Sequence, residues 1–326
     1  TPENIIGDAY LYIKIIYAGV IATVAYNLIA SILRALGDSK TPLYFLIISS
    51  VLNVILDLVF IINFNMGVAG AAYATIISQA VSAILCLIYT YKKFTILRLK
   101  REDFNVKKRY YHKHLKIGIP MALQFSITAI GIMTVQGALN VFGSTIIAAY
   151  TAASKALQLV MQPAITFGVT MATYCGQNLG AKEYNRIKEG VKACTKISII
   201  TSIIAGAVLI FLGKYFVMMF ISNPDVEILK YAQQVLDISA IFFIPLGLIF
   251  IYRNALQGIG DSFVPMMAGA YELIARAVVA FTLPRYIEFL GICLADPVAW
   301  LAAAIPLGIT YFKRINHLLK HGTIKV

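Results

Sequence analysis

Apolar residues run in nine blocks of about twenty, at 9–33, 42–63, 67–91, 116–141, 145–175, 195–213, 230–255, 265–284 and 291–312, each bounded by polar or turn-forming residues. Blocks of that length match helices that cross a hydrocarbon core of roughly 30 Å. No period-2 alternation competes, since between Ala71 and Ser82 small and polar residues recur at helical spacing among apolar ones. The pattern predicts nine transmembrane helices and an all-α integral membrane protein. The connections are turn chemistry, with Asn65-Met66-Gly67, Asn140 to Ser144 and two Gly-Asp-Ser turns, so consecutive helices run antiparallel. Pro163, Pro245 and Pro306 lie inside blocks and are expected to kink them.

One turn is written twice. LRALGDSKTP at 33–42 and LQGIGDSFVP at 256–265 share five residues at a constant offset of 223, which carries Gly37 onto Gly260 and Asp38 onto Asp261. Each copy joins the exit of one predicted helix to the entry of the next. Equivalent turns in one orientation indicate a parallel duplication, two halves about an axis along the membrane normal. In that register the first half is three spans short of the second. A twelve-span protein in two six-helix lobes is therefore expected, of which this chain begins just before the fourth span.

Charge changes the picture by orienting it. One set of alternate loops carries Arg34 and Lys40, ten Lys or Arg between 92 and 116, five between 176 and 196, and Lys313, Arg314, Lys320 and Lys325. The opposite set carries almost none. The positive-inside rule places the basic set in the cytoplasm. The expected organisation is a remnant of the first lobe at 1–92, a basic cytoplasmic linker at 93–115, a second lobe at 116–316 and a cytoplasmic tail at 317–326. With 60% apolar and 13% charged residues and a mean hydropathy of +0.79, the net charge of +13 reads as topology and not as a nucleic-acid-binding face. The four cysteines lack metal-ligand spacing, and the four histidines all lie in basic segments.

Ionisable residues inside apolar blocks carry the candidate chemistry. An acid at the centre of a membrane helix costs about 2.5–3.5 kcal/mol on insertion scales and by default marks function. Asp57 is such an acid, and Asn53, one helical step earlier, shares its face. Carboxylate with amide oxygen suits a small hard cation or an exchangeable proton, and Thr75 on the following span can add a hydroxyl. Hydration of Asp57 near the interface, with Asn53 bonding a neighbouring helix, is the plainer alternative. In the second half Glu272 and Arg276 are spaced for mutual neutralisation, Lys155 and Asp237 offer a second pair, and Gln124 is a further polar residue. These fit either a structural network or substrate and proton handling.

The residues resemble the multidrug and toxic compound extrusion (MATE) transporters over essentially the whole chain. The resemblance rests on LRALGDSKTP, LNVILDLVFI and GVAGAAYATIISQ in the first half, and on GIPMALQ, AAYTAASK, GQNLGAKEYNRIK, LQGIGDSFVP, YELIARAV and DPVAW in the second. It implies a MATE-like fold of twelve helices around a cavity, and export of cationic or amphipathic compounds driven by sodium or protons. It also implies that Asp57, Asn53 and Thr75 form a cation-coupling site, for Na+ or H+, with Tyr12 as a neighbour, and that a further acid of that site belongs to a first helix. The expected partners are a small amphipathic or cationic substrate and the lipid bilayer, with no nucleic acid and no cofactor beyond the coupling ion. The expected form is a multi-pass monomer in the plasma (inner) membrane, and not an enzyme. A lipid-linked oligosaccharide flippase of the same superfamily is the alternative, which would want cavity arginines, of which Arg276 offers itself. An intramembrane enzyme would need a clustered nucleophile, base or metal set that the sequence lacks.

Overall fold

The computed structural model describes residues 5–221 and 225–322, and the chain divides into two compact units, Thr1–Val106 and Lys107–Val326. The described residues form helices and turns, with no strand among them. The first unit holds α1 (Ile6–Ala18), α2 (Val20–Ala35), α3 (Lys40–Leu58) and α4 (Gly67–Lys93). The second holds α5 (Lys108–Leu139), α6 (Ser144–Val160), α7 (Gln162–Gly180), α8 (Tyr184–Met218), α9 (Val226–Ile241), α10 (Phe243–Gly258), α11 (Phe263–Thr282), α12 (Pro284–Cys293) and α13 (Ala295–His321).

Each apolar block folds as helix, but several are broken. Among the described residues, six helices are long and apolar enough to cross a membrane, and eight spans result when each of two bent pairs is taken as one. The first pair, α1 and α2, bends by 47° at Gly19, where a Cβ would stand 2.3 Å from the Ile76 side chain of α4. The second, α9 and α10, bends by 56°. Pro245 falls in the first turn of α10 and Pro163 in the first turn of α7, where a missing N–H costs nothing. Both prolines thus sit just after breaks. Pro306 breaks nothing, since α13 runs continuously through it. The 145–175 block is the pair α6 and α7, joined at Met161. The last part of the basic segment 93–115 is helical, since α5 begins at Lys108.

In the first unit α4 packs against α1, α2 and α3, around a small core of Tyr26, Ala30, Ala83 and Cys86. Tyr26 satisfies its buried hydroxyl by donating to the Pro42 carbonyl at 3.0 Å. The second unit has the larger core, with Leu139, Ile187, Leu209, Leu236, Leu256 and Leu307 fully buried. Within it α10 lies against α7, α8 and α13, and α11 against α5 and α13. Lipid tails are as apolar as leucine, so close packing of small residues has to do much of the joining. A Cβ on Gly258 would come within 2.6 Å of the Ala172 carbonyl oxygen, so α7 and α10 touch backbone to backbone.

The two Gly-Asp-Ser turns are the same structure. Gly37 and Gly260 have φ of +89° and +91°, the left-handed region that a side chain would strain. Asp38 N–H donates to Leu33 O and Asp261 N–H to Leu256 O, both at 2.9 Å, while Gly37 N–H reaches Arg34 O and Gly260 N–H reaches Gln257 O, both at 3.0 Å. This paired closure satisfies the last carbonyls of α2 and α10. Each aspartate then accepts an N–H of the next helix, from Thr41 at 3.1 Å and from Val264 at 3.3 Å.

Candidate functional site

The antiparallel pair α3 and α4 builds the first-unit site. Ser82 Oγ donates to Phe45 O at 3.2 Å and Ser49 Oγ to Ser78 O at 2.8 Å, which sets the register. Continuing by one helical turn each way brings Asn53 level with Ala74 and Thr75, and Asp57 level with Gly70. Ser49, Asn53 and Asp57 thus form one polar stripe on α3, facing a stripe of Thr75, Ser78, Gln79 and Ser82 on α4. The opposite side of α3, with Ile47, Val51, Val54 and Leu58, is exposed and apolar, as a lipid-facing surface should be.

Several atoms of this seam are buried without a hydrogen-bond partner among the described residues: Asp57 Oδ1, Asn53 Nδ2, Ser78 Oγ and Gln79 Oε1. A carboxylate oxygen held out of water with no donor among the described residues is what a proton or a small cation would satisfy. Thr75 spends its hydroxyl hydrogen on Ala71 O at 3.0 Å, which leaves its oxygen lone pairs for a cation. Amide nitrogen and oxygen are nearly isosteric, so Asn53 can present either atom to the seam. Asp57, Asn53 and Thr75 supply oxygens of the kind a hard monovalent cation takes, whereas Gln79 lies about 13 Å further along α4 than the level of Asp57. Directly after Asp57 the helix widens into a π-helical turn at Val59–Asn63, a form often found at functional sites. Tyr12 is more than a third exposed and lines an open cavity of about 340 Å³ with Asp8, Ala9 and Val68 at the start of α4. No hydrogen bond among the described residues joins Tyr12 to Asp57.

The second unit rearranges the pairs expected there. Glu272 and Arg276 do not bond each other. Glu272 pairs with Arg253 of α10, and Arg276 Nε donates to Asp296 Oδ1 of α13 at 2.7 Å. The reason is that α11 meets α10 and α13, each of which presents a countercharge. The Arg276 guanidinium also fills a notch at Gly131 of α5, where a Cβ would lie 2.5 Å from Nη1. Tyr150 donates its hydroxyl to the other Asp296 oxygen at 2.9 Å, and Gln124 accepts from Gln257 Nε2 at 2.9 Å. The expected Lys155–Asp237 pair is also absent among the described residues. Asp237 accepts from Gln233, one turn earlier on α9, at 2.7 Å, and the Lys155 ammonium stands 5.7 Å from the Phe220 ring centroid. Sequence reasoning missed Arg253, Asp296, Tyr150 and Gln79. Arg253 and Asp296 were signalled by the need of any buried charge for a countercharge, Gln79 by its place one helical step after Thr75, whereas nothing local marks Tyr150.

A helical membrane protein with a repeated turn, broken spans and an unpartnered acid in its first unit has the features of a secondary transporter. Comparison with known proteins carries this further: the MatE family model matches residues 1–59 and 117–282, and the chain belongs to the MatE family. It is 33% identical over 264 residues to "Probable multidrug resistance protein YpnP" of Bacillus subtilis, covering 80% of this chain and 58% of that protein. It is 28% identical over 312 residues to "Probable multidrug resistance protein YoeA" of the same organism, covering 92% and 66%. The chain thus spans about three fifths to two thirds of the length of these relatives. A solved outward-facing conformation of a multidrug resistance MATE family transporter of the MOP superfamily matches with a TM-score of 0.88 at 21% identity, over 94% of this chain and 69% of that one, which shows the shared fold.

Proposed function

We propose that the protein containing this chain is a cation-coupled antiporter that exports cationic or amphipathic compounds, with Na+ or H+ exchanged at Asp57. The observation that carries the reading is the half-buried Asp57 with an oxygen held from water and left without a donor among the described residues, one helical turn from Asn53 on the same face of α3. Antiport needs a group whose occupancy shifts the balance between outward-open and inward-open states, and an ion shifts that balance only by binding the two with different affinity. Asp57 next to a π-helical turn meets both needs, because a local change in helix winding changes which oxygens face it. In the membrane the basic segments around 92–116, 176–196 and the C-terminal end face the cytoplasm, in the plasma membrane of a cell whose gradients drive export.

Family membership and the names of the relatives support a small-molecule substrate over an intramembrane reaction. The second unit supports export over oligosaccharide flipping, since Arg253 and Arg276 are each matched to a carboxylate and offer no uncompensated charge to a pyrophosphate. The test is efflux of ethidium by the full-length protein under an imposed sodium or proton gradient. Asp57→Asn, nearly the same shape, should keep expression and much of the drug binding while efflux falls to background. Near wild-type efflux at matched expression would remove Asp57 from the mechanism.

A further inference from the structure

The stretch that follows α4 is unusual for a loop. Ile96, Leu99 and Phe104 are 83%, 75% and 73% exposed, among the most exposed large apolar side chains of the protein. Between and around them stand Lys92, Lys93, Arg98, Lys100 and Arg101. The stretch is nevertheless ordered by its own bonds. Arg98 Nε donates to Tyr91 O at 2.9 Å, its guanidinium lies 5.2 Å from the Tyr91 ring centroid, and so it ties the segment back onto the last turn of α4. Two 3-10 turns follow, Thr95–Leu97 and Arg101–Phe104, and the second is closed by Asp103, whose carboxylate accepts the Lys100 N–H at 2.7 Å. Lys93 turns back to Asp38. Lys92, Lys100 and Arg101 enter no ion pair among the described residues.

We infer that residues 92–104 are an interfacial anchor, in which Ile96, Leu99 and Phe104 enter the leaflet where α4 ends and Lys92, Lys100 and Arg101 bind the headgroups of anionic phospholipids. The segment is continuous with a span: α4 is long and apolar enough to cross the bilayer, its last turn exposes Tyr91, and residues 92–104 begin where that span ends. Apolar points separated by cations are the pattern of a segment lying in the interface plane, where side chains sink into the acyl boundary and basic groups meet phosphate. The short turns keep the backbone hydrogen-bonded, which the partly dehydrated interface requires. Attraction of this kind falls off within a Debye length, so only basic residues held at the surface contribute to it.

The test uses the full-length protein with single spin-labelled cysteines at 96, 99, 102 and 104, in vesicles of phosphatidylcholine with and without phosphatidylglycerol. Labels at 96, 99 and 104 should collide severalfold more with oxygen than with a water-soluble nickel chelate, and the label at 102 should do the reverse. Phosphatidylglycerol should raise the contrast, and Lys92→Gln/Lys100→Gln/Arg101→Gln should remove that rise. Nickel access at 96, 99 and 104 in both lipid mixtures would overturn the anchor, as would shielding from both reagents, the signature of packing against protein. Insertion that ignores lipid charge would overturn the headgroup assignment.

Discussion

Asp38 and Asp261 close the same turn with the same φ at the preceding glycine and the same 2.9 Å bond back into the helix they leave, yet they live in different surroundings. Asp38 receives Tyr89 at 2.8 Å, Thr41 Oγ1 at 2.9 Å and Lys93 at 3.3 Å, and the lysine side chain is 54% exposed. Asp261 is 1% exposed and receives Arg314 Nε at 3.0 Å. The contrast widens deeper in each unit. In the second, Glu272 and Asp296 are each paired with an arginine of another helix; in the first, Asp57 keeps a buried oxygen with no partner among the described residues. The repeat has kept what backbone geometry demands and diverged in where charge is left uncompensated. An acid that is matched holds helices together. An acid that is not matched can respond to an ion.

The sharpest way to break this contrast is to make the two kinds of acid behave alike. Asp57→Asn should remove coupling without loss of fold. Glu272→Ala should do the opposite: with Arg253 left buried and unpaired, the second unit should lose about 3–5 kcal/mol, read as a lower detergent unfolding midpoint and poor expression. The double substitution Arg253→Met/Glu272→Met should recover most of that loss, because replacing a buried pair by apolar side chains of similar volume is close to neutral or stabilising. A double variant as unstable as Glu272→Ala, or one that is stable but inactive, would show that the pair does more than hold the unit.

A finer test compares the turns themselves. Asparagine caps a helix about as well as aspartate, so Asp→Asn isolates the charge. Asp261→Asn strands Arg314 against a buried site and should cost about 3 kcal/mol, the low end for breaking a buried pair. Asp38→Asn faces an exposed lysine and should cost about 1 kcal/mol or less. Unfolding of both variants in detergent micelles checks the order, and equal costs would mean that the capping geometry alone matters.

How much of this was legible beforehand follows from the range of each interaction. Helices, turns and the duplication are local, and LRALGDSKTP with LQGIGDSFVP announced both the turn and its repetition. The same i, i+4 logic put Asn53 and Asp57 on one face of α3. It then misled at Glu272 and Arg276, because spacing says which side chains share a helix face and not which neighbouring helix supplies a better partner. Arg253 and Asp296 lie 19 and 20 residues away from theirs, and only the packing of α10, α11 and α13 brings them in. The close approach of Ile76 to Gly19, where α1 and α2 bend by 47°, was hidden for the same reason, being a contact between helices that no local pattern records.

The smallest expected effect is also the most specific to the first unit. Asp38 is partly buried, which by itself would raise its pKa, but the N–H of Thr41 and the hydroxyl and ammonium donors of Tyr89, Thr41 and Lys93 together outweigh that and hold it at about 2. A carboxyl depressed in the folded state contributes stability that is fully present above the ordinary value near 3.8 and is lost as pH falls through about 2. The stability difference between the parent protein and Asp38→Asn should therefore stay constant from pH 7 to roughly pH 4–5, and shrink between about pH 4 and pH 2. Melting of both in micelles, monitored by helical circular dichroism across that range, measures it. A difference that instead fades between pH 7 and pH 5 would mean that a different group, with a pKa in that range, controls the turn, and that Asp38 is not the anion holding Lys93 and Tyr89 in place.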